Sequence, residues 1–330
     1  MMFRKKSLAV VFSSAMAFGA ANDAMAQDWP TRPITMVVPF AAGSASDTAG
    51  RVLSAELSQV LGQQVVVEDV AGGGGMLGTA RVAKAPPDGY QFVFASVDSM
   101  AIAPAMHKLP LYDSVTDFTP VGLVVDQPIV LVARKDLPVS TMQEFASYAK
   151  ANDKTMQFGS SGVGSSSHFA CARLNAAIGI TPTHVPYRGS SLAMQDLMAG
   201  RIDYFCALGA AAIGPIEGGS AKAIALLTKE RSPLFPDLKT AEEQGTAGAE
   251  SYSWTGFFFP PGTPDEIVKR LNDATNTVLA SSTTTERLRK VGVSPISAEL
   301  RSTEHLRRFV RSEVDAWRAA IKASGIAIDE

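Results

Sequence analysis

The sequence predicts an α/β fold of two lobes, joined by two chain crossings that leave a cleft between them. Three observations carry this. Short apolar runs alternate with helical patterns from Ile34 to Ala95, a second such series starts after Pro128, and the chain beyond Pro264 is mostly helix. Helices that arrive without new strands must pack on a sheet already built. The first lobe is therefore expected to be discontinuous, with the chain passing into the second lobe and back.

The elements follow in order. Ile34 to Val38 reads as a strand, and Asp47 to Leu61 as a helix with Ala49, Val52, Leu53, Leu57 and Val60 on its inner side. Val65 to Val67 is the next strand, Met76 to Ala85 a helix, and Gln91 to Ala95 a third strand. In the second series the strands are Ile129–Ala133, Met156–Gly159, Thr183–Val185, Tyr204–Ala207 and Ala223–Leu227. Helices fall at Thr141–Lys150, Ser166–Ala177 and Ser190–Met198. Ser232 to Ser251 is rich in turn residues, and Phe257-Phe258-Phe259 closes a last strand before Pro260-Pro261-Gly262-Thr263-Pro264. Helices then run from about Pro264 to Ala280, and from Ser302 through Phe309, Val314, Trp317 and Ile321. The expected units are 27–126 plus 253–330, and 127–252.

The start of the chain points to export. Arg4, Lys5 and Lys6 precede an almost uncharged apolar run from Leu8 to Ala21, and Ala24-Met25-Ala26 matches the small-x-small site of signal peptidase. Residues 1–26 are expected to be a signal peptide cut between Ala26 and Gln27, placing the mature chain in the periplasm. The alternative is an uncleaved interfacial helix. Gln27, in place of a cysteine, argues against a lipid anchor. The signal holds Arg4, Lys5, Lys6 and Asp23, so 30 basic and 32 acidic residues become 27 and 31, a net charge of −4. No basic stripe suited to nucleic acid is present. Cys171 and Cys206 are the only cysteines. They fit neither a CxxC redox site nor a zinc site. One falls in a helical pattern and one in an apolar strand, which favours two small buried thiols over a disulfide.

Two loops carry the chemistry. Pro39-Phe40-Ala41-Ala42-Gly43-Ser44-Ala45-Ser46-Asp47 joins a strand to a helix, and its small residues leave backbone N–H groups open where a helix N-terminus favours negative charge. Ser44 and Ser46 add hydroxyl donors, and Asp47 can cap the helix. The second loop, Gly159 to His168, holds five serines and three glycines before a helix. Two such loops, one per lobe, could clamp a carboxylate; the plainer reading is a flexible loop with an N-cap serine. His168 alone is more often a packed helix residue. Arg188, at another strand-to-helix turn, can hold a second carboxylate through its planar fork. Gly73-Gly74-Gly75-Met76-Leu77-Gly78, with Asp98 twenty residues on, satisfies a dinucleotide pattern. It follows the second strand of an exported chain, so a tight helix–sheet turn is the better reading. No nucleophile elbow, zinc-protease motif or phosphate-loop lysine occurs, and the four histidines offer no metal spacing. No catalytic residue, metal or cofactor is expected. A serine hydrolase using the 160–167 loop and His168 is the rival reading.

Several segments resemble the Bug-type receptors of tripartite tricarboxylate transporters. They are Trp29–Ile34, the Phe40 loop with Gly43 and Asp47, Leu61–Glu68, Ala85–Tyr90, Asp117–Val121, Gly159–His168, His184–Gly189 and Phe259–Pro264, in order over Trp29 to Ile326. The resemblance implies a monomeric, two-lobed periplasmic binding protein with a double-crossed hinge. It implies delivery of a small organic carboxylate to membrane permease subunits; a sensing role with a signalling kinase stays open. Its implied ligand-binding residues here are Phe40, Ala42, Gly43, Ser44, Ser46, Asp47, Ser96, Ser161, Gly162, Ser165, Ser166, His168, Arg188 and Ala207. Departures bear on specificity. Ser44 stands for a usual Gly, Ala45-Ser46 for Ser-Thr, Arg188 for a common Lys, and Ala207 for an Asp expected on a cleft-facing turn. With Phe40 nearby, the missing acid favours a ligand with an apolar body, an aromatic dicarboxylate such as terephthalate, over an amino acid.

Overall fold

The computed structural model describes residues 29–324, so the signal segment expected at residues 1–26 lies outside the described residues. In the first lobe, β1 (Ile34–Val38), α1 (Ala45–Leu61), β2 (Val65–Asp69), α2 (Met76–Ala83) and β3 (Gln91–Ser96) form the expected β-α-β-α-β run. β1 pairs parallel with both β2 and β3. A π-type turn, Asp98–Ile102, then runs into the short α3 (Ala103–Ala105). Along α1, Ala49, Leu53 and Leu57 are buried as expected, but Val60 is exposed. It lies one residue before the buried Leu61 that ends the helix, off the inner face.

β4 (Thr119–Arg134) is a single strand of 16 residues, of which the sequence predicts only the end. Pro120, Gly122 and Pro128 disguise the rest. Pro120 and Gly122 fall where the register with β9 (Tyr252–Phe259) slips, and a bulge tolerates a missing donor. Pro128 ends the β9 pairing, and from Ile129 onward β4 pairs with β7 (Tyr204–Leu208) and β8 (Ala221–Leu226). One strand thus crosses between the lobes with no break.

The second lobe adds α4 (Met142–Asn152), β5 (Gln157–Ser160), α5 (Ser166–Ile178), β6 (Thr183–Pro186), α6 (Ser190–Met198) and α7 (Gly209–Glu217). Strand order through both lobes is β2-β1-β3-β9-β4-β7-β5-β6. α4 and α5 cover one face of the second sheet through Phe145, Leu174 and Ile178; α6 and α7 cover the other through Leu197 and Ala212. α7 is unexpected from sequence, because Gly209, Gly214 and Pro215 speak against a helix. The chain returns through β9.

The late helices pack on the first lobe. α8 (Asp265–Ala280) and α9 (Ser282–Lys290) share a core with α1. A short β10 (Ser294–Pro295) pairs with β4. α10 (Thr303–Ser324) closes the other face with Leu306, Val310 and Val314. Glu313 of α10 accepts from Trp254 Nε1 at 2.8 Å and from the Tyr252 hydroxyl, fastening the helix to the returning strand.

One expectation is corrected. Cys171 in α5 and Cys206 in β7 form a disulfide, with Cα atoms 5.4 Å apart. α5 lies directly on β7, so an inward helix residue and an inward strand residue face each other. The sequence patterns reveal neither facing.

Candidate functional site

A cleft of about 490 Å³ lies between the lobes, within the usual range for small-ligand sites. The first lobe contributes Phe40, Ser44, Ser46, Ser96, Asp98 and the run Gly72–Gly75. The second contributes Ser161, Gly162, Val163, Ser165, Tyr187, Arg188, Ser190 and Leu208, and the crossing strands add Gln127, Ser253 and Thr255. The N-termini of α1, α5 and α6 all open onto it. The first N–H groups of a helix have no intrahelical partner, so three positive dipole ends meet in one space.

The first-lobe loop is held open by its own bonds. Asp47 Oδ2 accepts from Gly43 N at 2.7 Å, and Ser44 Oγ caps α1 by accepting from Asp47 N at 3.2 Å. Gly43, at φ 76°, sits in the left-handed region and turns the chain back toward the helix. Asp47 therefore shapes the loop, while Ser44 and Ser46 line the cleft. Beside them, Gly72–Gly75 all have positive φ. A Cβ on Gly75 would lie 2.9 Å from Ser99 Cβ and 3.2 Å from the Phe40 ring, so the cleft wall can form only from glycine there. This is the structural turn expected of the dinucleotide-like pattern.

The second-lobe loop is largely self-satisfied. Ser167 Oγ accepts from Ser161 N at 2.9 Å, Ser165 Oγ donates to Gly162 O at 2.7 Å, and Ser160 Oγ accepts from Gly162 N at 3.1 Å. His168 Nδ1 accepts from Gly164 N at 3.3 Å, so the imidazole braces the loop from behind. Burial holds its pKa below the usual histidine range. Ser166 Oγ is buried beside the Asp98 carboxylate.

Among the sequence-predicted residues, Phe40, Ser44, Ser46, Ser96, Ser161, Gly162, Ser165 and Arg188 come together on the cleft wall. Asp47, Ser166 and His168 stand directly behind it, and Ala42 and Gly43 are exposed in the first loop. Ala207 is placed differently from expectation. It lies inside β7, paired with Val130 and fully buried, and the cleft residue at this strand end is Leu208. Arg188 is exposed at the turn before α6, with no ion pair among the described residues.

Sequence reading misses Asp98, Gln127, Ser253 and Thr255. Asp98 enters it only as the acid spaced from the glycine run. In the fold its Oδ1 accepts from Ser166 N, the first residue of α5, at 2.7 Å across the lobe boundary. A second interlobe bond runs from Ser191 Oγ to Gly43 O at 2.9 Å.

Two other features do not compete as sites. A wider depression of about 1090 Å³ shares Gln127 with the cleft, but the acids Asp126, Glu230, Glu242 and Glu250 line it beside its basic residues, and two of those, Arg173 and Arg231, pair with Glu250 and Glu243. Ser160 Oγ and His184 Nε2 are 2.7 Å apart, as in a nucleophile–base pair, yet Ser160 is fully buried and out of a substrate's reach. Among the described residues no cluster of His, Cys, Asp or Glu could hold a metal, and no helix is long and apolar enough to cross a membrane.

Known proteins are similar to this chain in sequence and fold. Residues 49–326 match the family model described as the tripartite tricarboxylate transporter family receptor. An Agrobacterium vitis protein, described as the UPF0065 protein in the TAR-I ttuE-ttuC' intergenic region, is 36% identical over 303 residues, covering 92% of this chain and 87% of its own. MatC of Rhodopseudomonas palustris, solved with bound malate, is 36% identical with a TM-score of 0.82, over 89% of this chain and 100% of its own. A second Rhodopseudomonas palustris protein, solved with adipate, is 34% identical with a TM-score of 0.86, over 91% and 99%. The two-lobed fold and the carboxylate-binding relatives agree: this chain belongs to the receptor family of the tripartite tricarboxylate transporters, which are periplasmic solute-binding proteins and not enzymes.

Proposed function

We propose that this chain captures a small organic carboxylate in the interlobe cleft and delivers it to the membrane permease subunits of a tripartite tricarboxylate transporter. The observation that carries this reading is the meeting of the N-termini of α1 and α6 with the unpaired Arg188 in one cleft. Oriented N–H groups and a guanidinium are the neutral and charged donors that a carboxylate accepts best. The units 27–126 plus 253–330 and 127–252 act as the two jaws, turning about β4 and the start of β9. Phe40, Val163 and Leu208 give the cleft an apolar wall, which supports a ligand with an apolar body. Terephthalate is the aromatic candidate from the sequence; aliphatic di- and tricarboxylates share its end groups, and amino-bearing carboxylates share one of them.

The test is calorimetric titration of the mature protein with carboxylates, sugars, amines and nucleotides. A carboxylate should bind best, and thermal shift should report it, since a ligand at a hundredfold its Kd adds about 2.7 kcal/mol of stability. A sugar or a nucleotide as best ligand would refute the proposal.

A further inference from the structure

We propose that Asp98 sets the specificity of this cleft, selecting a carboxylate that also carries a cationic nitrogen over one that carries only carboxylates. The inference rests on the receptor reading above and names the chemistry of the ligand's second end.

Asp98 is only 5% exposed, yet it lines the cleft wall. Its hydrogen-bonding neighbour is Ser166, whose backbone N–H it accepts and whose hydroxyl lies beside it, and no lysine or arginine among the described residues pairs with it. Burial pushes its carboxyl up to about 6, into the range where a neighbouring cation decides its charge. An ionised carboxylate taken out of water without a counter-cation is costly, and the natural relief is a cation supplied by the ligand. Its position sharpens the choice. Asp98 Oδ1 already holds the first N–H of α5, the donor that a ligand carboxylate would otherwise take on the second-lobe side. A second ligand carboxylate arriving there would meet a like charge at a filled site. An ammonium would meet a carboxylate that has no other cationic partner among the described residues. Ser96, 5% exposed, also lines the cleft, and its hydroxyl has no partner, offering a further acceptor. Arg188 and the N-termini of α1 and α6 remain for the ligand's carboxylate. The acid that the Ala207 position lacks is thus supplied from the other lobe.

The experiment compares matched ligands by calorimetry: terephthalate with 4-(aminomethyl)benzoate, adipate with 6-aminohexanoate, and succinate with aspartate. Wild-type protein should prefer the nitrogen-bearing member of the pair that binds by at least about tenfold. In Asp98→Asn, whose amide oxygen can still accept from Ser166 N, that preference should vanish or reverse, with the dicarboxylate bound more tightly than by wild type. Tighter binding of the dicarboxylate by wild type would overturn the proposal, as would a preference that survives in Asp98→Asn. Equal loss for both members would overturn it too, marking Asp98 as a lobe fastener only. Failure of every carboxylate to bind would refute the receptor reading itself, a separate outcome.

Discussion

The imidazoles of His168 and His184 stack face to face, with centroids 4.0 Å apart and planes 9° from parallel. Phe158 stacks on the His184 ring at 4.8 Å, so the pair is packed against an apolar face. His184 meets Ser160 and His168 meets Gly164, which ties both rings to the loop that walls the cleft. Burial and the neighbouring His168 push the His184 pKa down to about 4. Two stacked rings can both be neutral but not both charged at little cost.

The pH dependence follows from that depression. The unfolded chain takes up protons near its ordinary histidine pKa, while native His184 resists until about pH 4 and His168 is depressed in the same direction. Stability is therefore full above about pH 6.5 and falls as the pH drops through that window. Asp98 works in the opposite direction, because its raised pKa makes the native state the stronger proton binder between its ordinary range and about 6. The two are separated by comparing wild type with His184→Gln. The drop in Tm between about pH 7 and pH 5 should be smaller in the variant. Proton NMR should show the His184 ring still neutral at about pH 5; titration near 6.5 would contradict the packing argument.

The disulfide gives a second expectation. Cys171 and Cys206 are separated by 35 residues, and the bridge ties α5, whose N-terminus faces the cleft, to β7 beneath it. Closing a loop of that size restricts the unfolded chain. Cys171→Ser with Cys206→Ser should therefore cost about 2–4 kcal/mol in denaturant unfolding. Because the bridge lies in the core and not on the cleft wall, the ligand's Kd should change little. A variant as stable as wild type would show that the thiols are unpaired in solution.

The sequence discloses most of the sheet, because β1 to β3 and β5 to β8 are apolar runs bounded by turn residues. It hides β4 upstream of Ile129, since prolines that break an ordinary strand are absorbed here at register slips and at the change of partner. It also hides α9, whose Ser282-Thr283-Thr284-Thr285 start has low helix propensity and depends on the Ser281 cap. For the cleft, loop composition identifies the two serine-rich helix starts. It cannot say which hydroxyls the loop consumes internally, as with Ser165 and Ser167. Nor can it bring Asp98 to Ser166 across 68 positions, because that contact exists only once two lobes face each other.

The lobes also meet glycine on glycine, and this predicts an effect on closure. A Cβ on Gly209 at the start of α7 would lie 2.5 Å from Gly292 O, and one on Gly292 would lie 2.3 Å from Gly209 C. Both contacts are with backbone, which cannot step aside. Gly209→Ala should therefore hold the lobes further apart and weaken ligand binding without touching the cleft. Small-angle scattering should show no compaction on adding ligand where wild type compacts. Wild-type affinity in this variant would mean that the glycine contact has no part in closure.

Arg188 supplies the last expectation, because it is the one cationic side chain on the cleft wall among the described residues. It stands at the turn before α6, whose N-terminus has no side-chain cap, so a ligand carboxylate there would gain the guanidinium and open N–H groups together. A hydrogen bond to a charged group contributes about 1.5–3 kcal/mol, so Arg188→Ala should weaken the bound carboxylate by at least about tenfold. Arg188→Lys restores the charge but not the two parallel bonds, and should recover only part of the loss. Arg188 is exposed and bonds to no other described side chain, so both variants should melt with wild type. Full recovery by lysine would reduce its role to charge alone. Unchanged affinity in the alanine variant would move the carboxylate away from α6, leaving the N-terminus of α1 as its seat.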